Sequence, residues 1–144
     1  MKIVLQRVKW AKVNINNVVH SQINYGLLLY IGIDKSDNDL TVIKAVDKIS
    51  RLRIFSDEFG KINLDQSQVK ASLMVVSQFT IYATINGNRP GFSNQASKEH
   101  ANNLYSLFIQ LSKDKFCEVQ SGIFNVNMEI ESINDGPFTL ILEY

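Results

Sequence analysis

The chain has 144 residues, of which 45% are hydrophobic and 20% charged, with 15 Lys and Arg against 14 Asp and Glu. This composition excludes a disordered chain and a small disulfide-stapled domain, and it predicts one globular domain over residues 1–144. The net charge of +1 provides no overall positive field, so charge alone does not indicate nucleic acid as a partner.

The cysteine content and the N-terminal segment indicate the compartment. Cys117 is the only cysteine of the sequence, so no disulfide can form within the chain, as is usual for proteins of a reducing compartment. The apolar run between Lys2 and Arg7 is only three residues long, Ile3-Val4-Leu5, which is too short for a signal peptide or a membrane span. We therefore expect a cytoplasmic protein without a membrane partner.

The N-terminal segment predicts a strand with an unusual inward charge. From Ile3 to Ile15 the odd positions are mostly apolar, a period of two that is typical of a strand, but Arg7 and Lys9 interrupt them. If Arg7 points inward, the fold must supply carbonyl or carboxylate acceptors for its guanidinium group. A solvated edge strand is the alternative, and the pattern alone leaves both open.

Hairpin and helix signals follow. Asn16-Asn17 is a hairpin turn signal, and Val18–Ile23 and Gly26–Gly32 are predicted strands. Ser36 is predicted to begin a helix through a capping box with Asp39. Ser97 is predicted to cap a second helix. Each helix has an apolar stripe at helical spacing, formed by Val42, Ala45, Val46, Ile49 and Leu52 in the first and by Ala101, Leu104, Phe108 and Leu111 in the second.

The remaining segments complete a strand-rich pattern. Leu73–Val76 is apolar on both faces, as expected of a central strand, and the chain becomes polar at Ser77-Gln78. Further strands are predicted at 116–121, 126–133 and 138–144. We therefore predict a single α+β domain with two helices and a largely antiparallel, barrel-like β-sheet.

The segment Asn134–Thr139 is the most informative turn of the sequence. Asn, Asp, Gly and Pro follow one another there between two apolar runs, so the Gly136-Pro137 peptide is expected to project with its carbonyl groups free as acceptors. An ordinary hairpin connection is the simpler interpretation of the same turn chemistry.

Several kinds of chemistry find no support in the sequence. His20, His100 and Cys117 have no partners at metal-ligand spacing, and no glycine-rich phosphate loop occurs. We expect no metal and no cofactor. The hydroxyl groups of Ser77 and Thr80 have no histidine nearby in the sequence to act as a base.

Two segments together carry a resemblance to a known family. Ser77-Gln78-Phe79-Thr80-Ile81-Tyr82-Ala83 and Asn134–Thr139 resemble the paired signatures of the D-aminoacyl-tRNA deacylases. The resemblance continues in the same order through Leu5-Gln6-Arg7-Val8, Arg53–Asp57 with Gly60-Lys61, Arg89-Pro90, and the spacing of Gly122, Phe124 and Met128. Phe138 and Gly91 depart from it, since the family usually has Val and Ser at these positions.

The resemblance implies a function and a set of site residues. The substrate would be a D-aminoacyl-tRNA, hydrolysed at its ester bond, and the protein would be a homodimer with the site at the subunit interface. Ser77, Gln78, Phe79 and Thr80 would form the catalytic strand end. Gly136 and Pro137, joined by a cis bond, would select against L-amino acids and leave glycyl-tRNA as a side substrate. Arg7 would support that turn, and Phe124 and Met128 would receive the terminal adenine.

The resemblance also implies that the substrate takes part in the reaction. The ribose 2′-hydroxyl beside the ester would help to activate the attacking water. Two alternatives stay open at this point. One is a small-molecule esterase with a Ser or Thr nucleophile, and the other is an RNA-associated dimer module without enzymatic activity.

Overall fold

The structure, a computed structural model, describes residues 1–93 and 96–144. The elements in chain order are β1 (Lys2–Ile15), β2 (Val18–Ile23), β3 (Gly26–Gly32), α1 (Asp39–Ser50), β4 (Phe55–Ser56), β5 (Ile62–Leu64), α2 (Gln66–Val69), β6 (Ser72–Ser77), a 3-10 helix (Phe79–Tyr82), β7 (Thr84–Asn86), β8 (Arg89–Gly91), α3 (Lys98–Lys113), β9 (Val119–Ser121) and β10 (Glu129–Glu143). The prediction of an α+β domain is confirmed. The prediction of two helices is wrong, since the described residues form three α-helices, of which α2 is a single short turn.

The main sheet is built around β1, and its strand order is β10-β1-β3-β6-β9, with β2 also pairing with β1. Strand β1 is antiparallel to β10, β2 and β3. Strand β6, however, is parallel to both β3 and β9, because the connections before and after it pass through α1 and α3 and return in the same direction. The sheet as a whole is therefore mixed. The prediction of a largely antiparallel sheet is wrong for the part formed by β3, β6 and β9.

The sheet curls into a barrel-like shape with apolar residues on both of its faces. One cluster joins the sheet to α1 and α3 through residues such as Leu29, Val75 and Phe108. A second cluster lies inside the curled sheet and includes Leu28 and Met74. The hydroxyl of Ser21 on β2 donates to the carbonyl of Ser121 on β9 at 2.9 Å, which ties the curled sheet together. The predicted barrel-like form is confirmed.

Local turn and cap chemistry explains where the first elements begin and end. Asn16 and Asn17 have φ of 51° and 61°, the left-handed conformation that a two-residue hairpin turn requires. Helix α1 begins at Asp39, directly after Asn38, which forms the capping box with Thr41. The predicted cap at Ser36 is wrong, because the backbone and hydroxyl of Ser36 donate instead to the carboxylate of Asp34.

Strand β10 shows how the turn of 134–139 is built. The sequence predicts two strands flanking it, whereas the structure has one continuous strand that pairs with β1 on both sides of a bulge. Gln6 pairs with Thr139 and Val8 with Asn134, so that residues 135–138 face the single residue Arg7. The hairpin interpretation is therefore wrong, and the Gly136-Pro137 peptide projects from the edge of the sheet.

The strand predicted at 116–121 is shorter, Val119–Ser121, and Ser97 caps α3 as predicted. In the part of the chain that the structure describes, none of the helices is long and apolar enough to cross a membrane.

Candidate active site

A cavity of about 540 Å³ opens at the end of β6, where the strand turns into the 3-10 helix. It brings together residues that are far apart in the sequence: Ser77, Gln78 and Phe79 on one side and Phe124 and Met128 on the other. Five of the predicted site residues therefore share one cavity. Ile31, Ile33, Val76, Ala96, Lys98, Ala101, Asn125, Val126, Asn127 and Ile130 complete its lining.

The strand end is held in place by backbone contacts. The N–H of Gln78 donates to the carbonyl of Ile31 at 2.8 Å, which anchors the turn to β3. The ring of Phe79 is 54% exposed and packs edge-on against Phe92 at a centroid distance of 5.1 Å. The turn therefore presents the backbone and the polar side chains of Ser77 and Gln78 to the cavity.

Thr80 occupies a different place from its neighbours. Its hydroxyl accepts a hydrogen bond from the side-chain amide of Gln78, and its side chain does not contribute to the cavity wall in the described part of the chain. Thr80 thus contacts the site through Gln78.

The opposite wall of the cavity is apolar and backed by a buried tyrosine. Phe124 packs against Tyr105 with a centroid distance of 6.0 Å. The hydroxyl of Tyr105 donates to the carbonyl of Val75 at 2.8 Å and also contacts the carbonyl of Gly122 at 3.2 Å, and burial raises the pKa of this phenol. Tyr105 was missed in the sequence, because it lies beside the helical stripe and is indistinguishable there from a core residue.

The charge at the cavity is limited to one side chain among the described residues. Lys98, in the first turn of α3, contributes to the lining, and nothing in its sequence context distinguishes it from a solvated helix residue. The Nε2–H of His100 donates to the carbonyl of Asp37 at 2.8 Å, and neither His100 nor His20 lines the cavity. Within residues 1–93 and 96–144, no group of three His, Cys, Asp or Glu side chains could hold a metal ion.

Arg7 lies at the bulge of β10 and not at the cavity. Its side chain is buried, with 7% of the residue exposed, and its Nη1 donates to the carbonyl of Ile54 at 2.7 Å. Its Nε lies 3.2 Å from the carbonyl oxygen of Asp135 and 3.1 Å from the carboxylate of the same residue. The guanidinium also lies 5.0 Å from the centre of the Phe138 ring. The inward orientation and the acceptors predicted for Arg7 are thus both present.

The Gly136-Pro137 peptide is cis and exposed on the outside of the bulge. Gly136 has φ of +139°, a backbone conformation that residues with a Cβ rarely adopt. The N–H of Phe138 donates to the side-chain oxygen of Asn134 at 2.7 Å, which closes the bulge from within. Gly136 and Pro137 are not among the residues that line the cavity of their own chain.

Comparison with known proteins identifies the family of the chain. The family model described as "D-Tyr-tRNA(Tyr) deacylase" matches residues 4–143. The chain belongs to this family. The predicted membership of the D-aminoacyl-tRNA deacylases is confirmed, and so is the expectation of a hydrolase that acts on an ester bond.

Relatives match this deacylase chain over nearly its whole length. A D-aminoacyl-tRNA deacylase of Dictyoglomus turgidum is 47% identical over 99% of this chain and 92% of the relative. One of Staphylococcus haemolyticus is 45% identical over 99% of this chain and 95% of the relative. The chain therefore corresponds to nearly the full length of both.

Two solved structures share the deacylase fold. The structure described as "c-Myc DNA Unwinding Element Binding Protein" has a TM-score of 0.95 at 32% identity and covers 100% of this chain and 99% of its own. The structure described as a probable eukaryotic D-amino acid tRNA deacylase has a TM-score of 0.84 at 16% identity, with 98% and 97% covered, and this likeness concerns the fold alone.

The two departures from the family pattern lie in different surroundings. Phe138 stacks on Arg7, a contact that a Val side chain at this position would not make. Gly91 lies in the small β7–β8 sheet, where its carbonyl is 3.4 Å from the hydroxyl of Thr84. A Cβ at Gly91 would lie 3.3 Å from the hydroxyl oxygen of Thr84, so the glycine avoids a close contact there.

Proposed function

We propose that this protein hydrolyses the ester bond between a D-amino acid and tRNA. One observation carries the proposal: the cavity joins the polar strand end, Ser77 to Phe79, to an apolar wall of Phe124 and Met128. The first side suits an ester and the attacking water, and the second suits a flat base, since aromatic and thioether groups are good stacking surfaces. The aminoacylated terminal adenosine of tRNA carries an ester and a flat base in one molecule.

The adenine stacks on the apolar wall that Phe124 and Met128 form. Lys98 lies at the same cavity, and its ammonium group suits a phosphate of the tRNA end. Binding at the base and at the phosphate fixes the ribose and its ester against the strand end.

The chemistry relies on orientation rather than on a protein nucleophile. The hydroxyl of Thr80 is engaged by the amide of Gln78, and no histidine lines the cavity in the described part of the chain. A hydroxyl without a base is a poor nucleophile, which argues against a Ser or Thr esterase. Water attacks the ester carbonyl with the help of the ribose 2′-hydroxyl. The ester C–O bond breaks, the 3′-oxygen takes up a proton, and the D-amino acid and tRNA leave.

Selection against L-amino acids is performed by Gly136 and Pro137 of a second copy of the chain. Within one chain, the bulge lies opposite Arg7, which pairs with Leu27 on β3, and Leu27 pairs in turn with Leu73 on β6. The cavity lies at Ser77, four residues further along β6. Four residues along a strand correspond to about 13 Å, and the three strand spacings from β10 to β6 add about 14 Å sideways. The turn is thus too far from the cavity of its own chain to contact the same amino acid.

The outer edge of β10 suits such a partner. Strand β10 ends the sheet order and pairs on one side only with β1. Its outward side chains include the exposed Ile133 and Ile141, at 46% and 68% exposure. A long unpaired edge with exposed apolar side chains is typical of a surface that is covered by another chain. In a two-fold dimer each turn reaches the cavity of the other subunit, which produces two equal sites.

Arg7 supports the turn from beneath. It contacts the backbone and the carboxylate of Asp135 and is itself fixed by Ile54 and Phe138. The turn is thereby held rigid, so that its carbonyl groups bind the substrate ammonium and its flanking atoms exclude an L side chain. Glycine has no side chain to exclude, so glycyl-tRNA is also cleaved.

The deciding experiment compares D-tyrosyl-tRNA with L-tyrosyl-tRNA as substrates of the purified protein. We expect turnover of the D-isomer and at least about a hundredfold slower release of the L-isomer, which corresponds to about 2.7 kcal/mol. A protein that binds tRNA without releasing D-tyrosine is a binding module, and this result would refute the proposal. A covalent acyl-enzyme trapped with a substrate analogue would favour a nucleophilic esterase instead.

The cross-subunit site is tested by complementation. One inactive variant carries changes at Ser77 and Gln78, and the other carries changes at Gly136 and Pro137. Each mixed dimer has one complete site, which combines an intact strand end with an intact turn. We therefore expect about a quarter of the native activity after random mixing and about half of it for purified mixed dimers. Mixed dimers that form, as shown by two different affinity tags, but remain inactive would exclude a shared site.

A further inference from the structure

Gly122 connects β9 to the wall of the cavity and is fixed by its backbone on both sides. Its N–H donates to the carbonyl of Val75 at 2.9 Å. Its carbonyl oxygen lies 3.2 Å from the hydroxyl oxygen of the buried Tyr105. The position of its Cα is therefore set by β6 and by α3, and it cannot shift freely to make room for a side chain.

The space above Gly122 is occupied by Met128. A Cβ at Gly122 would lie 2.5 Å from the sulfur of Met128 and 3.1 Å from its methyl carbon. Glycine is not needed here for its backbone conformation, because φ of Gly122 lies outside the left-handed range, unlike that of Gly60, Gly87 and Gly136. What the position requires is the absence of a Cβ.

We infer that Gly122 is a positioning residue that sets the place of the Met128 thioether, and thereby the space left at the apolar wall that Met128 forms with Phe124. The assignment of this wall to the terminal adenine rests on the proposed function. A methionine has three rotatable side-chain bonds and a flexible end, so a Cβ at residue 122 moves the side chain of Met128 rather than the backbone. Because Met128 lines the cavity, a displaced thioether changes the space available there.

The inference predicts a change in binding without a loss of the fold. Gly122→Ala displaces the Met128 thioether from its place in this wall, so adenosine 5′-monophosphate, used as the probe, should bind at least about tenfold more weakly, which is about 1.4 kcal/mol. The midpoint of thermal unfolding should change little by comparison. The matched control is Ile123→Ala, since Ile123 is the exposed neighbour and does not line the cavity, and it should leave the affinity unchanged.

The position of Met128 can be followed directly by NMR. With ¹³C-methyl methionine, the sequence gives three methyl signals, from Met1, Met74 and Met128. Gly122→Ala should shift the Met128 signal, because ring currents of nearby aromatic side chains change steeply with distance, and it should leave the Met74 signal in place. An unshifted Met128 signal would overturn the inference.

A double-mutant cycle separates this role from a general structural one. In a Met128→Ala background the space above Gly122 is empty, so Gly122→Ala should weaken binding of the nucleotide, or raise KM, by less than about twofold. A tenfold further loss in that background would overturn the inference. If the native protein does not bind the nucleotide, the adenine assignment fails, whereas the shift of the Met128 signal still decides the role of Gly122.

Discussion

Replacing Arg7 by Lys tests the support of the Gly136-Pro137 turn. The guanidinium group of Arg7 is planar and binds in two directions. Its Nη1 donates to the carbonyl of Ile54 at 2.7 Å, and its Nε lies 3.2 Å from the backbone carbonyl oxygen and 3.1 Å from a carboxylate oxygen of Asp135. The face of the same group lies over Phe138 at 5.0 Å. A lysine keeps the positive charge, but its ammonium is a compact point that cannot reach Ile54 and Asp135 together or stack on the ring.

The size of the effect follows from these contacts. A hydrogen bond to a charged group contributes about 1.5–3 kcal/mol, and a cation over an aromatic ring contributes about 1 kcal/mol. Because the side chain of Asp135 is 25% exposed, water replaces part of what is lost. We expect Arg7→Lys to lower the free energy of unfolding by about 2–3 kcal/mol, and to reduce the preference for D- over L-aminoacyl-tRNA.

Urea unfolding at fixed protein concentration measures the first effect. Trp10 is the only tryptophan of the sequence and lies on β1 three residues from Arg7, so its fluorescence reports on this part of the sheet. With a slope of about 1–3 kcal/mol per molar urea, the midpoint should fall by roughly 1 M or more. The matched control is Arg51→Lys, an exposed arginine with 72% side-chain exposure, which should change stability by less than about 0.5 kcal/mol. Equal midpoints for the two variants, or unchanged D/L selectivity, would refute the reasoning.

Four further predictions concern the site and its surroundings. Thr80→Ala should lower the rate of D-aminoacyl-tRNA hydrolysis by no more than about tenfold, because the hydroxyl only contacts Gln78; a fall to the uncatalysed rate contradicts this. Substrate ending in 2′-deoxyadenosine should be cleaved very slowly in the same assay, and normal turnover would exclude a role for the 2′-hydroxyl. Gly136→Ala should cost about 1–3 kcal/mol in urea unfolding, more than Gly60→Ala, because only at Gly136 would the new Cβ also meet Phe138, at 3.0 Å from its N. Burial raises the pKa of Tyr82 to about 12, and nearby carboxylates add to this effect. As the pH rises, the tyrosine therefore ionises in the unfolded chain before it ionises in the folded one. Part of the stability that is present below pH 10 is then lost between pH 10 and 12. Unfolding midpoints across this range should fall less in Tyr82→Phe.

The features that the sequence predicts well are those with a simple local cause. The period of two in β1, the Asn16-Asn17 turn and the apolar stripe of α1 all follow from side-chain spacing and backbone preference. The inward position of Arg7 was only one of two interpretations that the alternation left open, and the contacts with Ile54 and Asp135 decide in its favour. The pairing of Ser77 with Phe124 in one cavity does not follow from spacing, and only the family resemblance indicated it.

The features that the sequence did not reveal depend on tertiary contacts. The bulge in β10 looks like a hairpin until the partner strand is known, because the turn residues are the same in both. Ser36 and Asn38 are both good caps, and the side chain of Asp34 decides between them by engaging Ser36. The need for glycine at residue 122 is invisible without Met128, since no unusual backbone angle accompanies it.

The number of extra residues in the bulge of β10 limits how the length of the projecting turn can change. Between the paired positions Gln6–Thr139 and Trp10–Ile133, three residues of β1 face five of β10. The excess is two, an even number, and side chains alternate faces with a period of two. On one side of the bulge Leu142 packs against the cluster beneath α1 and α3, and on the other side Ile130 packs against the cluster inside the curled sheet. Insertions or deletions of two residues can therefore reshape the projecting turn and leave the rest of the strand in phase. A change of one residue would invert the strand beyond it, so we expect length variation at this turn to occur in steps of two.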